Sequence, residues 1–250
     1  MKSLKSYIQE KLIIKKDNSY KYFPETKEEL KDIISKRIKT EGKKADLNDI
    51  DVSKITNMSS LFEETDFNGN ISEWDVSNVT NMYAMFYGCK LFNQDISSWD
   101  VSKVTDMTYM FNRCKSFNQD ISNWDVSNVI YMQNMFYGCK AFNQPLNKWD
   151  VSNVTDMSYM FNRCKLFNQD ISDWDVSNVK NMYAMFYDCK SFNQPLNKWD
   201  VSNVTNMSYM FYGCEAFNKD ISKLNVSKVK YFNRVFFDCP IEEKHKPKFK

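Results

Sequence analysis

Apolar residues return along this chain with two rhythms set inside a third. In the stretch Ile96 to Phe117, the first half reads Ile96-x-x-Trp99-x-Val101, and its alternation around Trp and Val predicts a short strand with its apolar side turned inward. The second half spaces Val104, Met107, Met110, Phe111, Cys114 and Phe117 at steps of three and four, one stripe of a short helical segment. Close copies of the whole stretch recur every 25 residues, with tryptophan marking the register at Trp74, Trp99, Trp124, Trp149, Trp174 and Trp199. Ile50 and Leu224 take the equivalent places before and after, which makes eight units.

Self-similarity at a fixed period predicts an array in which each unit buries its apolar face against its neighbours and none folds alone. The expected fold is an α/β repeat: a leucine-rich-repeat-like solenoid over residues 46–239, with one short parallel strand and one short helical segment per repeat. With strands ~4.8 Å apart, eight of them would make a ladder roughly 35 Å long. Residues 1–45 break the pattern and predict a helical cap. Leu4, Tyr7, Ile8 and Leu12 keep helical spacing over residues 1–16. Thr26 and Glu29 form a capping-box pattern that opens a second helix, with Leu30, Ile33, Ile34 and Ile38 on one face and an end near Gly42. Pro240 stops the last unit, and residues 240–250 read as a polar tail.

Charge refines this division. The chain is nearly neutral at +2, yet residues 1–45 carry a net +6 and the tail +2, which leaves the repeats at about −6. A basic cap on a mildly acidic array raises nucleic-acid binding as a minor alternative, without an aromatic and basic motif to support it. Residues 1–16 interleave Lys and Glu with apolar residues, unlike a secretion signal, and no stretch is apolar enough to span a bilayer, so a cytoplasmic location is expected.

Several columns have structural explanations. The seven cysteines, Cys89 to Cys239, share one repeat position, and an odd count without a CxxC pair predicts buried free thiols. The asparagines that follow the last Phe of each unit, such as Asn93 and Asn118, predict a turn-forming column that satisfies backbone groups. The aspartates beside tryptophan, among them Asp100, Asp125, Asp150 and Asp175, predict turn-capping hydrogen bonds, with a binding role for cationic groups as the alternative.

Recognition is expected where the repeats differ. The residue before tryptophan varies and includes Lys148 and Lys198, and the position after the Met-Phe pair holds Tyr87, Tyr137, Tyr187 and Tyr212, alternating with Asn112 and Asn162, beside which stand Arg113 and Arg163. Tyr and Arg are enriched at protein-binding hot spots. Catalysis has little to work with: the one histidine, His245, lies in the tail, the five glycines form no phosphate-cradling loop, and no metal-ligand spacing occurs. Neither a cofactor nor a small-molecule substrate is expected.

The run FNQDISSWDVSKVTDMTYMF resembles the repeat of the BspA-like leucine-rich-repeat surface-protein family, over about Asp46 to Cys239. The lead-in YFPETKEELKDIISKRI, followed by ADLNDIDVSKITNMSSLF, is similar to that of intracellular-looking bacterial and phage-borne members. The resemblance implies a non-catalytic scaffold for protein recognition, expected as an intracellular interaction or inhibitor module, and the atypical first and last units predict a monomer. A cell-surface adhesin is the alternative, because secreted relatives act as adhesins.

Overall fold

In the computed structural model, which describes residues 20–250, each repeat lies on the one before it. The helix expected over residues 1–16 falls outside these residues. Helix α1 spans Lys27–Glu41. The Thr26 hydroxyl accepts the Glu29 N–H at 3.2 Å, and the Glu29 carboxylate accepts the N–H of Glu25 at 2.8 Å, one residue earlier than a capping box requires. Gly42, at φ 85°, ends the helix and donates its N–H to the Ile38 carbonyl. Leu30 and Ile34 are fully buried in the apolar core of the array. Arg37 fastens α1 to the first repeat through Asp49 and the Asp46 carbonyl, both at 2.8 Å.

The interior of the repeats differs from the strand-and-helix expectation. Among the described residues, α1 is the one α-helix, and parallel pairing is confined to isolated bridges. From Asn57 the bridges run through Asn81, Asp106, Tyr131, Asp156, Asn181 and Asn206 to Tyr231, in the half that had been read as helical; Tyr22–Ile50 and Asp46–Asn70, at the start of the array, lie outside it. The half read as strand is a pair of tight turns. The Trp99 N–H closes onto the Ile96 carbonyl at 3.2 Å, and the Val104 N–H onto Val101 at 2.9 Å.

The supposed helical stripe also has a different origin. Within one repeat the N–H groups of Met110, Asn112 and Cys114 each bond the carbonyl three residues back. The intervening N–H groups of Met107, Tyr109, Phe111 and Arg113 leave the repeat, donating to Tyr131, Gln133, Met135 and Tyr137 of the next at 2.6–3.0 Å. Linked four-residue turns therefore give the same apolar spacing as a helix, while half of the donors form the bonds that stack the layers. This arrangement satisfies the backbone both ways.

Aromatic columns fill the centre. Phe62, Phe86, Phe111, Phe136, Phe161, Phe186, Phe211 and Phe236 stack with centroids 5.3–5.8 Å apart. A second column, Phe92 to Phe217, repeats at 5.9–6.1 Å. Each tryptophan from Trp74 to Trp199 is almost wholly buried and donates its indole N–H to a carbonyl of the preceding layer, as Trp149 does to Ile121 at 3.1 Å. The thiols do likewise: Cys139 donates to the Phe111 carbonyl at 2.9 Å, and burial pushes the Cys139 thiol well above its ordinary pKa. Asparagine side chains form another seam, in which the Asn93 carbonyl oxygen accepts the Asn118 N–H at 2.8 Å.

The C-terminal segment is seated rather than loose. Ile241 and Pro247 are buried, Phe249 stacks on Phe232 at 5.0 Å, and the Ile221 N–H donates to the His245 carbonyl at 3.0 Å. The reason is that the last repeat would otherwise leave its apolar end open, and these few apolar residues among the lysines cover it.

Candidate functional site

Two outward positions in each repeat have positive φ, because the linked turns demand the left-handed region there. The first holds Ser60, Ala84, Tyr109, Asn134, Tyr159, Ala184, Tyr209 and Arg234. The second holds Glu64, Gly88, Arg113, Gly138, Arg163, Asp188, Gly213 and Asp238. Gly and Asn enter this region at little cost, whereas other L-residues lose roughly 1–2 kcal/mol each. Tyr109, Tyr159, Tyr209, Arg113 and Arg163 thus occupy places where neighbouring layers manage with Ala, Asn or Gly.

These strained residues gather the predicted ones. Tyr109 meets Tyr83 at 5.7 Å and Tyr87 at 6.3 Å. A second network joins Tyr137, Tyr159, Tyr183, Tyr209, Tyr212 and Tyr187, with Tyr187 and Tyr212 stacked at 4.6 Å. Burial, with a hydrogen bond to Tyr183, pushes the Tyr159 phenol up to about 12. The Arg113 guanidinium lies over the Tyr87 ring at 5.6 Å and that of Arg163 over Tyr137 at 5.9 Å, so each arginine presents its outer edge to solvent. Tyr83, Asp106, Tyr109, Tyr131, Gln133 and Tyr159 line a shallow groove of about 470 Å³ on this face.

Beside the tyrosines runs a basic cleft of about 570 Å³. Arg113, Arg163, Lys90, Lys115, Lys140 and Lys165 line it, together with Tyr137, Gly138 and Asp188. Tyr87, Tyr137, Tyr187, Tyr212, Arg113 and Arg163 therefore belong to one continuous face. Reading only the position after the Met-Phe pair missed Tyr83, Tyr109, Tyr159, Tyr183 and Tyr209. The signal for Tyr109, Tyr159 and Tyr209 was available, since Tyr alternates with Ala and Asn just before the second Met; Tyr83 and Tyr183 stand one residue earlier, in a column shared with Ser, Thr and Gln. The lysines escaped for the opposite reason: Cys-Lys recurs without variation from Lys90 to Lys190, and variation had been the criterion.

Two overlapping stretches, residues 29–149 and 131–248, match the family model described as Mycoplasma protein of unknown function, DUF285. The chain belongs to this family. No curated protein matches it.

The other predicted residues of this DUF285 chain lie away from the tyrosine face. Asp100, Asp125, Asp150 and Asp175 each accept the N–H of the serine two residues on at 3.0 Å, closing the turn after tryptophan. Hydrogen bonds from Ser102 and Ser177 hold the Asp100 and Asp175 carboxyls below the usual carboxylate range. Lys198 pairs with Asp173 at 2.7 Å, and Lys148 reaches the Asn123 side chain at 3.5 Å. Each of these bonds to its own turn or to the preceding layer, not to the Tyr and Arg residues. Among the described residues, no three His, Cys, Asp or Glu side chains gather as a metal site, and no helix is long and apolar enough to cross a membrane.

Proposed function

We propose that this DUF285 chain is a non-catalytic protein-recognition scaffold, a solenoid of eight repeats that binds another protein through its tyrosine and arginine face. The observation that carries the reading is the placement of Tyr109, Tyr159, Tyr209, Arg113 and Arg163 at left-handed positions, where Asn134, Gly88 and Gly138 serve the same backbone at little cost. Residues held at unfavourable φ concentrate at functional sites, and Tyr and Arg are the side chains that anchor interfaces. A face continuous over six layers suits a partner that lies along the stack. The likeness of FNQDISSWDVSKVTDMTYMF to BspA-like leucine-rich repeats supports the same class of function. The column of unpaired thiols, each donating to a backbone carbonyl, supports an intracellular interaction module, because a reducing compartment keeps such thiols free.

The test is affinity capture from cell extract with the wild type beside a variant carrying Tyr109→Ala, Tyr159→Ala and Tyr209→Ala. Alanine already occupies this position in two layers, so the variant should fold. The expected result is a defined partner retained by the wild type and lost by the variant. Identical captured proteins on both would contradict the reading.

A further inference from the structure

We infer that the basic cleft beside the tyrosines takes an acidic, extended peptide segment of the partner, about eight residues long, with carboxylates at alternate positions. This rests on the protein-recognition reading and specifies its partner's chemistry. Lys90, Lys115, Lys140 and Lys165 stand one per layer, so the cleft presents a row of like charges in register with the stack. Among the described residues, Lys90, Lys115, Lys140, Lys165, Arg113 and Arg163 form no ion pair; Asp188 is the one acid in the lining. Stacked cations repel one another, and an anionic partner removes that repulsion. The row ends where the charge reverses, since the next lysine, Lys190, is bridged to Glu215. Its usable length is therefore four layers.

Layer spacing selects the shape of the ligand. Ring centroids in the phenylalanine column beneath lie 5.6–5.8 Å apart from one layer to the next here, and layers joined by backbone hydrogen bonds rise ~4.8 Å. In an extended peptide, side chains on one side repeat every ~6.6 Å, which flexible lysines can follow. Four layers then meet four carboxylates over about eight residues. The two arginines stand two layers apart, over Tyr87 and Tyr137; Arg163 donates one Nη1 N–H to the Tyr137 hydroxyl at 3.1 Å, and the remaining N–H groups of both can meet carboxylates. Leu91 and Leu166 follow the first and last lysines and are about half exposed, at 52% and 54%, giving apolar side chains of the peptide a place at either end.

A single-stranded nucleic acid has matching charge but needs open aromatic faces on which bases stack. Within the cleft the one lining aromatic is Tyr137, covered by Arg163; the exposed Tyr83 and Tyr131 line the separate groove. The observations favour the peptide.

Fluorescence anisotropy decides the matter with the full chain and three labelled probes: an eight-residue Glu-Ser repeat, its Lys-Ser counterpart, and an eight-nucleotide oligothymidylate. The Glu-Ser peptide should bind, weaken as salt rises, and bind at least tenfold more weakly to a variant carrying Lys115→Gln, Lys140→Gln and Lys165→Gln. A control with Lys103→Gln and Lys228→Gln, lysines that reach Asn78 and Asn203 on another edge, should bind as the wild type does. Absence of Glu-Ser binding, binding indifferent to the triple change, or tighter binding of oligothymidylate would each overturn the inference. If Glu-Ser fails while the tyrosine variant still loses its captured partner, this inference falls and the recognition reading stands.

Discussion

The layer that carries Tyr109 and Arg113 can be set against the next, which carries Asn134 and Gly138. Inside, they are the same: Phe111 and Phe136 are fully buried, and Cys114 and Cys139 each donate to a carbonyl of the layer before at 2.9 Å. Outside, the backbone is also the same, with φ of 60° and 64° in one and 61° and 72° in the other. The fold imposes the left-handed turns on both, and the side chain alone decides how much they cost. One layer fills them with residues suited to the geometry, the other with the Tyr and Arg that the proposed recognition would use. The difference separates what the array needs in order to stack from what it carries besides.

The largest test of that separation removes a ring from each core. Phe111→Ala and Phe136→Ala should both destabilise by about 3–5 kcal/mol in chemical denaturation, because each deletes a buried ring between two others. A large gap between them would mean that the layers are not equivalent inside. Next comes an exchange at the second outward position. Arg113→Gly should raise stability by about 1 kcal/mol, and Gly138→Arg should lower it by about 1–2 kcal/mol, both read from denaturant midpoints. A Cβ added at Gly138 would meet nothing closer than the Arg113 Cα at 3.7 Å, so the loss would come from conformation rather than collision.

Acid should act through the aspartate turns spread along the array. Hydrogen bonds from the following serines hold Asp95, Asp100, Asp120, Asp170, Asp175, Asp200 and Asp220 below their usual range. A carboxylate with a depressed folded pKa stabilises above its unfolded value, about 3.9, and that contribution is lost as pH falls through the folded value. The melting temperature should therefore hold level above about pH 5 and decline below about pH 4, equally in wild type and Arg113→Gly. A melting temperature constant down to strongly acidic pH would refute this. The smallest effect is Asp100→Asn, within about 0.5 kcal/mol, since an amide oxygen can accept the same serine N–H, as Asn225 does for Ser227 at 3.3 Å.

The sequence made the array legible because Trp, Phe and Cys keep one spacing and each fills one column. It also showed α1, through Thr26, Glu29 and the stripe from Leu30. It misled on the interior of the repeat, because linked four-residue turns and a helix place Met107, Met110 and Cys114 at the same intervals. Only the destination of the N–H groups distinguishes them, and that depends on the neighbouring layer. At the site, Tyr87, Tyr137, Arg113 and Arg163 stood out by their variation. Lys115 and Lys140 did not, because a regular column looks structural until its charges prove to be unpaired.

The most direct test is to measure stability and binding on one variant, Arg113→Gly with Arg163→Gly. If these arginines are held at left-handed positions for recognition, the variant will unfold at higher denaturant than the wild type and bind the Glu-Ser peptide at least tenfold more weakly. A variant that loses stability, or that gains it and binds undiminished, would contradict the account.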